Sequence, residues 1–292
     1  MPLMWYPRVW AARSYGPSEQ QYDIALKRLA YPRSSYILQT KVRPYEDVEE
    51  FKKVLADSVS YLMAEEGAFV DLLSFHGINR PQHIDWIMRE GGCMEVVDEL
   101  RKAGKVKWVG FSTHGMTPTI TKAINTGRFD YVNLHCQFIG SYTSSGSGPA
   151  AGNMEAVKAA AAQDMGVFII SPTDKGGQLY HPPKIFADAC AEGGLTPIEL
   201  NNLWLLSHPE VHTLVVGAAR PSDFDAHLAS IAKLDQAAEL LPPVVGRLQQ
   251  MVVDSVGADW AEHWYKGLPD SCAFCPLLLV FLLVLRCFSA WP

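Results

Sequence analysis

Short apolar segments of strand-like composition alternate with amphipathic helical segments, and this alternation most constrains the fold of the chain. Strands that are apolar throughout and separated by helices form parallel sheets covered on both faces. The six predicted strands are Tyr36–Val42, Val70–Phe75, Lys107–Ser112, Tyr131–Cys136, Val167–Ser171 and Val211–Val216. The predicted helices are Asp47–Glu66, Met94–Ala103, Thr117–Asn125, Met154–Gln163, Thr196–Leu206, Pro221–Ile231 and Gln236–Val253, the last interrupted near Pro242-Pro243.

Polar residues at the ends of successive strands favour a closed barrel over an open, doubly wound sheet. No G-x-G-x-x-G motif follows any predicted strand, which argues against a dinucleotide-binding open sheet. Barrels of alternating strands and helices carry their active sites at the carboxyl ends of the strands. The sequence therefore predicts a (β/α)8 barrel. The polar residues at the strand ends are Lys41, His76, Ser112, Thr113, His114, Gln137 and Ser171.

Composition excludes several other classes of protein. With 48% hydrophobic and 19% charged residues, the 292-residue chain is typical of a globular protein. A net charge of −6 argues against nucleic-acid binding, which needs concentrated Lys and Arg. Cys93, Cys136 and Cys190 lie in or beside apolar or helical segments and predict buried thiols in a reducing compartment. We expect a cytoplasmic protein, with an organelle as the alternative because Met1–Arg13 is basic but has no signal-peptide core.

Several short motifs recur in an order and spacing that resemble the aldo-keto reductase superfamily. The resemblance runs from about Ala12 to Leu234. It implies a (β/α)8 barrel that binds NADPH and reduces a small-molecule carbonyl substrate, an aldehyde or ketone, without a metal. The motifs are Ala12-x-x-Tyr15-Gly16-x-Ser18-Glu19, Thr40-Lys41-Val42, Asp71-x-x-x-x-His76, Gly104-Lys105-Val106 with Gly110-Phe111-Ser112, Ile170-Ser171-Pro172 and Val216-Gly217-Ala218.

The resemblance also implies a role for individual residues. Tyr15 would be the general acid, Lys41 would lower the pKa of Tyr15, and His76 would orient the carbonyl. Such a trio is chemically reasonable, since a nearby ammonium stabilises a phenolate and a neutral histidine can hydrogen-bond a developing oxyanion. Ser112 and Asn133 would hold the nicotinamide carboxamide. The phosphates of NADPH would be held by Ser171, Pro172, Gly217, Ala218 and Arg220.

One departure from the family pattern concerns the lysine. The family motif before the tyrosine reads Asp-Thr-Ala, and this chain has Trp10-Ala11-Ala12 there. The missing aspartate would pair with Lys41. A buried ammonium without a counter-ion tends to lose its proton. We therefore expect strongly reduced turnover.

A second departure concerns the start of the barrel. Residues 1–14 are too few for a first strand, first helix and second strand, and Pro7 interrupts Met4–Trp10. The sequence thus predicts an incomplete barrel that lacks its first strands, as expected of a truncated or alternatively spliced product. The predicted domain plan is a non-matching segment 1–11, a barrel 12–234, a helical segment 235–270 and a hydrophobic tail 271–292.

Four alternatives remain open. A metal hydrolase would use His76, His114 and His135, although no acidic residue accompanies them at ligand spacing. A non-catalytic barrel would bind NADPH without turnover. Cys272 and Cys275 would supply half of the ligands of an iron–sulfur or zinc site. The apolar tail permits weak membrane association, although it is too short to span a bilayer unaided.

Overall fold

The computed structural model describes residues 8–138, 153–218 and 220–263. The chain divides into two compact units, Met1–Asn133 with Ala159–Gly166, and Leu134–Lys158 with Val167–Pro292. The described residues contain seven strands, and the paired strands within each unit run parallel. Along the described residues, successive strands are separated by helices or by the segment 139–152, which the structure does not describe, together with a helix. This pattern is that of an incomplete (β/α)8 barrel.

The first unit contains a run of parallel strands in sequence order, β1 to β5, each paired with the next. Strands β2 and β3 are buried along almost their full length, as expected of strands covered on both faces. The elements are β1 (Arg8–Trp10), α1 (Ser18–Leu29), β2 (Ile37–Val42), α2 (Val48–Leu62), β3 (Val70–His76), α3 (Pro81–Met88), α4 (Cys93–Lys102), β4 (Val106–Ser112), α5 (Thr117–Ile124) and β5 (Tyr131–Leu134).

Helix α2 shows how sequence and packing agree in this unit. The Asp47 side chain caps the helix by accepting a hydrogen bond from the Glu49 N–H at 2.9 Å. Phe51, Leu55 and Leu62 are buried along one face at helical spacing. The helix predicted from this spacing is confirmed.

A charged cluster stabilises the beginning of strands β2 to β4. Asp71 on β3 accepts hydrogen bonds from the Leu38 N–H at 2.9 Å, from Arg33 at 2.5 Å and from Lys107 at 2.9 Å. Burial raises the pKa of the Asp71 carboxyl, but these donors outweigh burial and hold the pKa below its ordinary value. The guanidinium of Arg33 also lies 3.9 Å from the centre of the Phe69 ring. Asp71, a residue of the family motif, is thus held in a structural cluster.

The second unit is built around helices α7, α8 and α10, and its strands β6 and β7 pair in parallel. Elements α6 and β6 begin or end at the boundary between the units. The remaining elements are α6 (Asn153–Ala161), β6 (Gly166–Ile170), α7 (Lys184–Glu192), α8 (Pro197–Leu206), β7 (Thr213–Val215), α9 (Asp225–Ala232), α10 (Ala237–Val256) and α11 (Ala258–His263). Its core consists of Phe138, Phe186, Cys190, Leu195, Leu200, Leu203, Ala237, Leu241 and Val244.

Helix α8 begins as the sequence predicts. Thr196 accepts a hydrogen bond from the Glu199 N–H at 3.2 Å, and Glu199 accepts one from the Thr196 N–H at 2.8 Å. This is a reciprocal capping box, with Pro197 at the first helical position.

Two predictions about secondary structure are wrong. A strand does precede Tyr36, since Arg8–Trp10 pairs with Ile37–Gln39, and Pro7 precedes it in sequence and need not donate to its ladder. Helix α10 is also continuous through Pro242-Pro243. Burial of Leu241 and Val244 in the core offsets the free-energy cost of the backbone hydrogen bonds that the two prolines cannot make.

Candidate active site

The register of the first unit places several predicted site residues at neighbouring strand ends. His76 on β3 lies beside Ser112 on β4, and Ser112 lies beside Asn133 on β5. Lys41 on β2 lies beside Ser74, two residues before His76. Because the strands are parallel, all these side chains belong to their carboxyl-terminal ends. That is the end at which α/β barrels carry their chemistry.

Tyr15 lies on the loop that follows β1. Backbone pairing with β2 continues past the strand, because the Ala11 N–H donates to the Gln39 carbonyl at 2.8 Å and the Arg13 N–H to the Lys41 carbonyl at 2.9 Å. The chain then turns, with the Tyr15 N–H bound to the Ala12 carbonyl at 2.9 Å. Gly16 has a φ of +57°, a conformation that favours glycine. Tyr15 remains 54% exposed, and partial burial raises the pKa of its hydroxyl.

A polar cluster that packs against this loop fixes its position, and no role for this cluster was predicted from the sequence. Glu19, at the start of α1, is buried and accepts a hydrogen bond from the Thr40 hydroxyl at 2.5 Å. Arg13 lies 3.6 Å from the same carboxylate and 2.6 Å from Asp57 on α2. The Ser18 hydroxyl donates to the Ala12 carbonyl at 3.0 Å. Glu19 and Ser18, both part of the family motif, therefore anchor the loop that carries Tyr15.

Lys41 is a buried amine close to two aromatic rings. Its residue is 4% exposed, and its Nζ lies 5.2 Å from the Tyr15 ring centre and 5.7 Å from the Trp10 ring centre. Nζ donates one hydrogen bond, to the Ala11 carbonyl at 3.3 Å. No carboxylate of the described residues forms an ion pair with it. Burial lowers the pKa of Lys41 to about 8, well below the ordinary value for lysine.

His76 completes this group. Its ring meets the Tyr15 ring edge to face, with centres 5.3 Å apart. Burial, followed by the positive charges of Lys41, Arg43 and His114, lowers the pKa of His76 to about 4, so the imidazole is neutral near pH 7. Its Nδ1 is buried and has no hydrogen-bond partner among the residues that the structure describes. Tyr15, Lys41 and His76 thus form one cluster that contains an acid, an amine and a neutral imidazole.

Ser112 and Asn133 lie next to this cluster in a buried polar network. The Ser112 hydroxyl accepts a hydrogen bond from the Gly77 N–H at 3.1 Å. The Asn133 amide donates to the Ser74 hydroxyl at 3.2 Å, and Ser74 also binds the Tyr131 hydroxyl at 2.8 Å. The side-chain amide oxygen of Asn133, Oδ1, is buried and has no partner within the described part of the chain. It is therefore available to accept a hydrogen bond from an amide.

The second unit holds the residues predicted to contact phosphates. Ser171, at the end of β6, has a φ of +50°, and its carbonyl accepts a hydrogen bond from Gln137 at 2.6 Å. The Pro172 carbonyl accepts one from Asn201 at 2.6 Å. These two amide side chains fix the loop after β6. Gln137 is among the strand-end residues of the sequence, whereas Asn201 lies mid-helix and gave no signal there.

The loop after β7 carries Gly217, Ala218 and Arg220. Among the described residues, none has an atom within 4 Å of the position that a Cβ on Gly217 would take, so no described side chain covers this backbone. The Arg220 side chain is 78% exposed, and its guanidinium lies 3.2 Å from Asp223. Asp223 also accepts a hydrogen bond from the Arg220 N–H at 3.0 Å. The pairing of Arg220 with an acid was not predicted, although their spacing of three residues is visible in the sequence.

Comparison with known proteins decides the family. The model of the aldo/keto reductase family matches residues 11–176, more than half of the chain. The chain belongs to the aldo/keto reductase family. This aldo/keto reductase family member is 22% identical over 239 residues to the L-galactose dehydrogenase of Arabidopsis thaliana, covering 75% of this chain and 70% of that protein. The family assignment made from the motifs is confirmed, and with it the assignment to the oxidoreductases.

Solved structures of aldo-keto reductases share the fold. The holo form of AKR11C1 from Bacillus halodurans aligns with a TM-score of 0.60 at 18% identity, covering 81% of this chain and 83% of that one. An aldo-keto reductase from Klebsiella pneumoniae in complex with NADPH aligns with a TM-score of 0.56 at 16% identity, covering 81% and 80%. These likenesses confirm the predicted fold class, an incomplete (β/α)8 barrel.

Two of the alternatives can be compared with the described residues. No group of three or more His, Cys, Asp or Glu side chains within them is arranged to hold a metal ion. No helix among them is long and apolar enough to cross a membrane. Cys272 and Cys275 and the apolar tail lie outside the described residues.

Proposed function

We propose that this chain reduces an aldehyde or ketone to an alcohol with NADPH as the hydride donor, with Tyr15 as the proton donor. The observation that carries the proposal is the cluster of Tyr15, Lys41 and His76 at the carboxyl ends of the first strands. The aldo-keto reductase from Klebsiella pneumoniae was solved in complex with NADPH, which supports the same cofactor here. When bound, NADPH supplies the hydride, and the protein supplies position and protons.

The residues present fit such a cofactor. A nicotinamide carboxamide has an N–H₂ group that would donate to the unpartnered Asn133 Oδ1, and Ser112 lies beside Asn133 on the neighbouring strand. In the second unit, the loop of Ser171 and Pro172 and the loop of Gly217, Ala218 and Arg220 are the residues we propose to hold the phosphates. Arg220 presents an exposed guanidinium that would bind a 2′-phosphate.

The chain's own residues would handle the oxygen of the substrate. Tyr15 would donate its proton to the carbonyl oxygen as negative charge develops there. The neutral His76 would hydrogen-bond the same oxygen and so orient it. Lys41, while protonated, would stabilise the Tyr15 phenolate that remains after proton transfer.

The state of Lys41 sets the pH range of this activity. With a pKa of about 8, Lys41 is mostly protonated at pH 7 and mostly neutral at pH 9. The loss of turnover that the missing aspartate predicts is therefore greatest at alkaline pH. A second candidate function, a barrel that binds NADPH without turnover, is favoured by the position of Trp10 beside Lys41.

The test pairs a binding measurement with a turnover measurement. NADPH binding is followed by its fluorescence, and turnover by NADPH oxidation with 4-nitrobenzaldehyde at about pH 7. We expect binding by the wild type and by Tyr15→Phe, and oxidation at least about a hundredfold slower in Tyr15→Phe. Binding without oxidation by the wild type would favour the non-catalytic barrel. Equal rates of NADPH oxidation by both proteins would contradict the role of Tyr15 as the proton donor.

L-Galactose, suggested by the name of the plant relative, belongs in a substrate panel with NADP⁺.

A further inference from the structure

We propose that Lys41 is also a nucleophile, which captures the carbonyl compound bound beside Tyr15 as an imine. This proposal rests on the proposed function in one respect, the class of compound that the site binds. It gives the chain a covalent reaction with aldehydes that requires no nicotinamide cofactor. The reaction would use the same three side chains in different roles.

The first support is the poor solvation of the Lys41 ammonium. An ammonium can donate three hydrogen bonds, but Nζ makes one, to the Ala11 carbonyl at 3.3 Å. Its other near neighbours are the rings of Trp10 and Tyr15, with no carboxylate among the described residues to balance the charge. A lysine with a purely structural role would be expected to use more of its donors. These surroundings favour the neutral amine, the form that attacks carbonyl groups.

The second support is the fraction of amine that is neutral near physiological pH. With the pKa of Lys41 at about 8, about a quarter of the amine is neutral at about pH 7.5. For a lysine of ordinary pKa the fraction is about two hundredfold smaller. The ring that lies 5.2 Å from Nζ belongs to Tyr15, which is 54% exposed, so a carbonyl compound bound against Tyr15 would lie near the amine.

The third support is the set of neighbours that imine formation needs. The amine nitrogen of Lys41 would form a bond to the carbonyl carbon, and one of its two protons would pass to the carbonyl oxygen to give a carbinolamine. Transfer of a second proton, from the Tyr15 hydroxyl, would allow that oxygen to leave as water. The products are an imine and one water molecule, with no change of oxidation state. The neutral His76, whose ring contacts Tyr15, would carry the first proton from the nitrogen to the oxygen, and the Tyr15 phenolate would accept the second proton that the nitrogen releases.

The experiment traps the imine on the wild-type protein. The protein is incubated with 4-nitrobenzaldehyde and sodium cyanoborohydride at about pH 7.5 without NADPH, digested, and analysed by peptide mass spectrometry. Reduction converts the imine to a stable secondary amine that carries a 4-nitrobenzyl group. Lys52 and Lys122, which are half-exposed and paired with Glu49 and Asp85, serve as controls in the same molecule.

We expect Lys41 to be labelled at least about tenfold faster than either control lysine. Labelling of Lys41 at or below the rate of Lys52 and Lys122 would overturn the proposal. In Trp10→Asp, a carboxylate beside Nζ keeps the amine protonated, and labelling of Lys41 should fall at least about tenfold while that of Lys52 is unchanged. Unchanged labelling of Lys41 in this variant, with the fold intact by circular dichroism, would also overturn it.

These outcomes are independent of the proposed reductase activity. Preferential labelling of Lys41 in a protein that does not oxidise NADPH would support imine formation and contradict the proposed reductase function. Oxidation of NADPH without preferential labelling of Lys41 would support the proposed reductase function and contradict the proposal that Lys41 forms an imine.

Discussion

Replacing Trp10 by aspartate should move the alkaline limb of the pH–rate profile. The Trp10 ring centre lies 5.7 Å from Nζ of Lys41. A carboxylate at that distance attracts the ammonium by about 3 kcal/mol at an effective dielectric constant of about 20. This energy offsets the effect of burial and returns the pKa of Lys41 from about 8 towards the ordinary value for lysine.

The assay is NADPH oxidation with 4-nitrobenzaldehyde between about pH 6 and pH 10. In the wild type, kcat/KM should fall above about pH 8 as Lys41 loses its proton. In Trp10→Asp the fall should begin about two pH units higher, so that the variant is about tenfold faster at pH 9 and within about twofold at pH 7. Trp10→Asn is the matched control, because it removes the ring without adding a charge.

One result would refute this reasoning. If the alkaline limbs of the wild type, Trp10→Asp and Trp10→Asn coincide, while circular dichroism shows all three folded across the pH range, the charge of Lys41 does not control proton donation by Tyr15.

Three further predictions concern other parts of the chain. Asp71→Asn should lower the free energy of unfolding in urea by about 2 kcal/mol near pH 7, because its two cationic partners remain without a carboxylate. The pKa of the Asp71 carboxyl is held low in the folded state, so the stabilisation by its ionised form is lost in the wild type as the pH falls. Asp71→Asn should therefore lower the free energy of unfolding less at about pH 3 than near pH 7, and equal effects at the two pH values would contradict a stabilising role for the ionised carboxylate. Gly110→Ala should destabilise the fold by about 3 kcal/mol, since a Cβ there would lie 2.5 Å from the Tyr131 carbonyl oxygen, and an unchanged urea midpoint would contradict this. Arg220→Ala should raise KM for NADPH about tenfold and KM for NADH less than twofold, and equal changes would show that Arg220, paired with Asp223, does not bind the 2′-phosphate.

The elements that could be predicted from the sequence are those in which apolar residues recur at a regular local spacing. Strands β2 to β6 come from apolar segments, and α2 from its buried stripe. Helix α1 was missed because its one buried residue is Glu19, so no apolar stripe marks it. Strand β1 was rejected because Pro7 interrupts the candidate segment Met4–Trp10, and the pairing of the remaining three residues with Ile37–Gln39 is a tertiary contact. The continuity of α10 through Pro242-Pro243 likewise depends on core packing.

The candidate site, like the fold, could be predicted from the sequence only in part. Tyr15, Lys41 and His76 could be named from the family motifs, and Lys41 and His76 also lie at or near the ends of predicted strands. The register that makes Ser112 the neighbour of both His76 and Asn133 was not available from one sequence. The sequence showed that Trp10 stands in place of the aspartate, but the contact of its ring with Lys41 depends on how β1 pairs with β2 and could not be predicted.

The most direct test of the central claim follows the hydride itself. The protein is incubated at about pH 7 with 4-nitrobenzaldehyde and NADPH deuterated at the transferred position, and the alcohol product is analysed by mass spectrometry. Carbonyl reduction with Tyr15 as the proton donor predicts 4-nitrobenzyl alcohol with one deuterium on the benzylic carbon, formed by the wild type and at least about a hundredfold more slowly by Tyr15→Phe. NADPH binding without deuterated alcohol, or deuterated alcohol formed equally by both proteins, would contradict it.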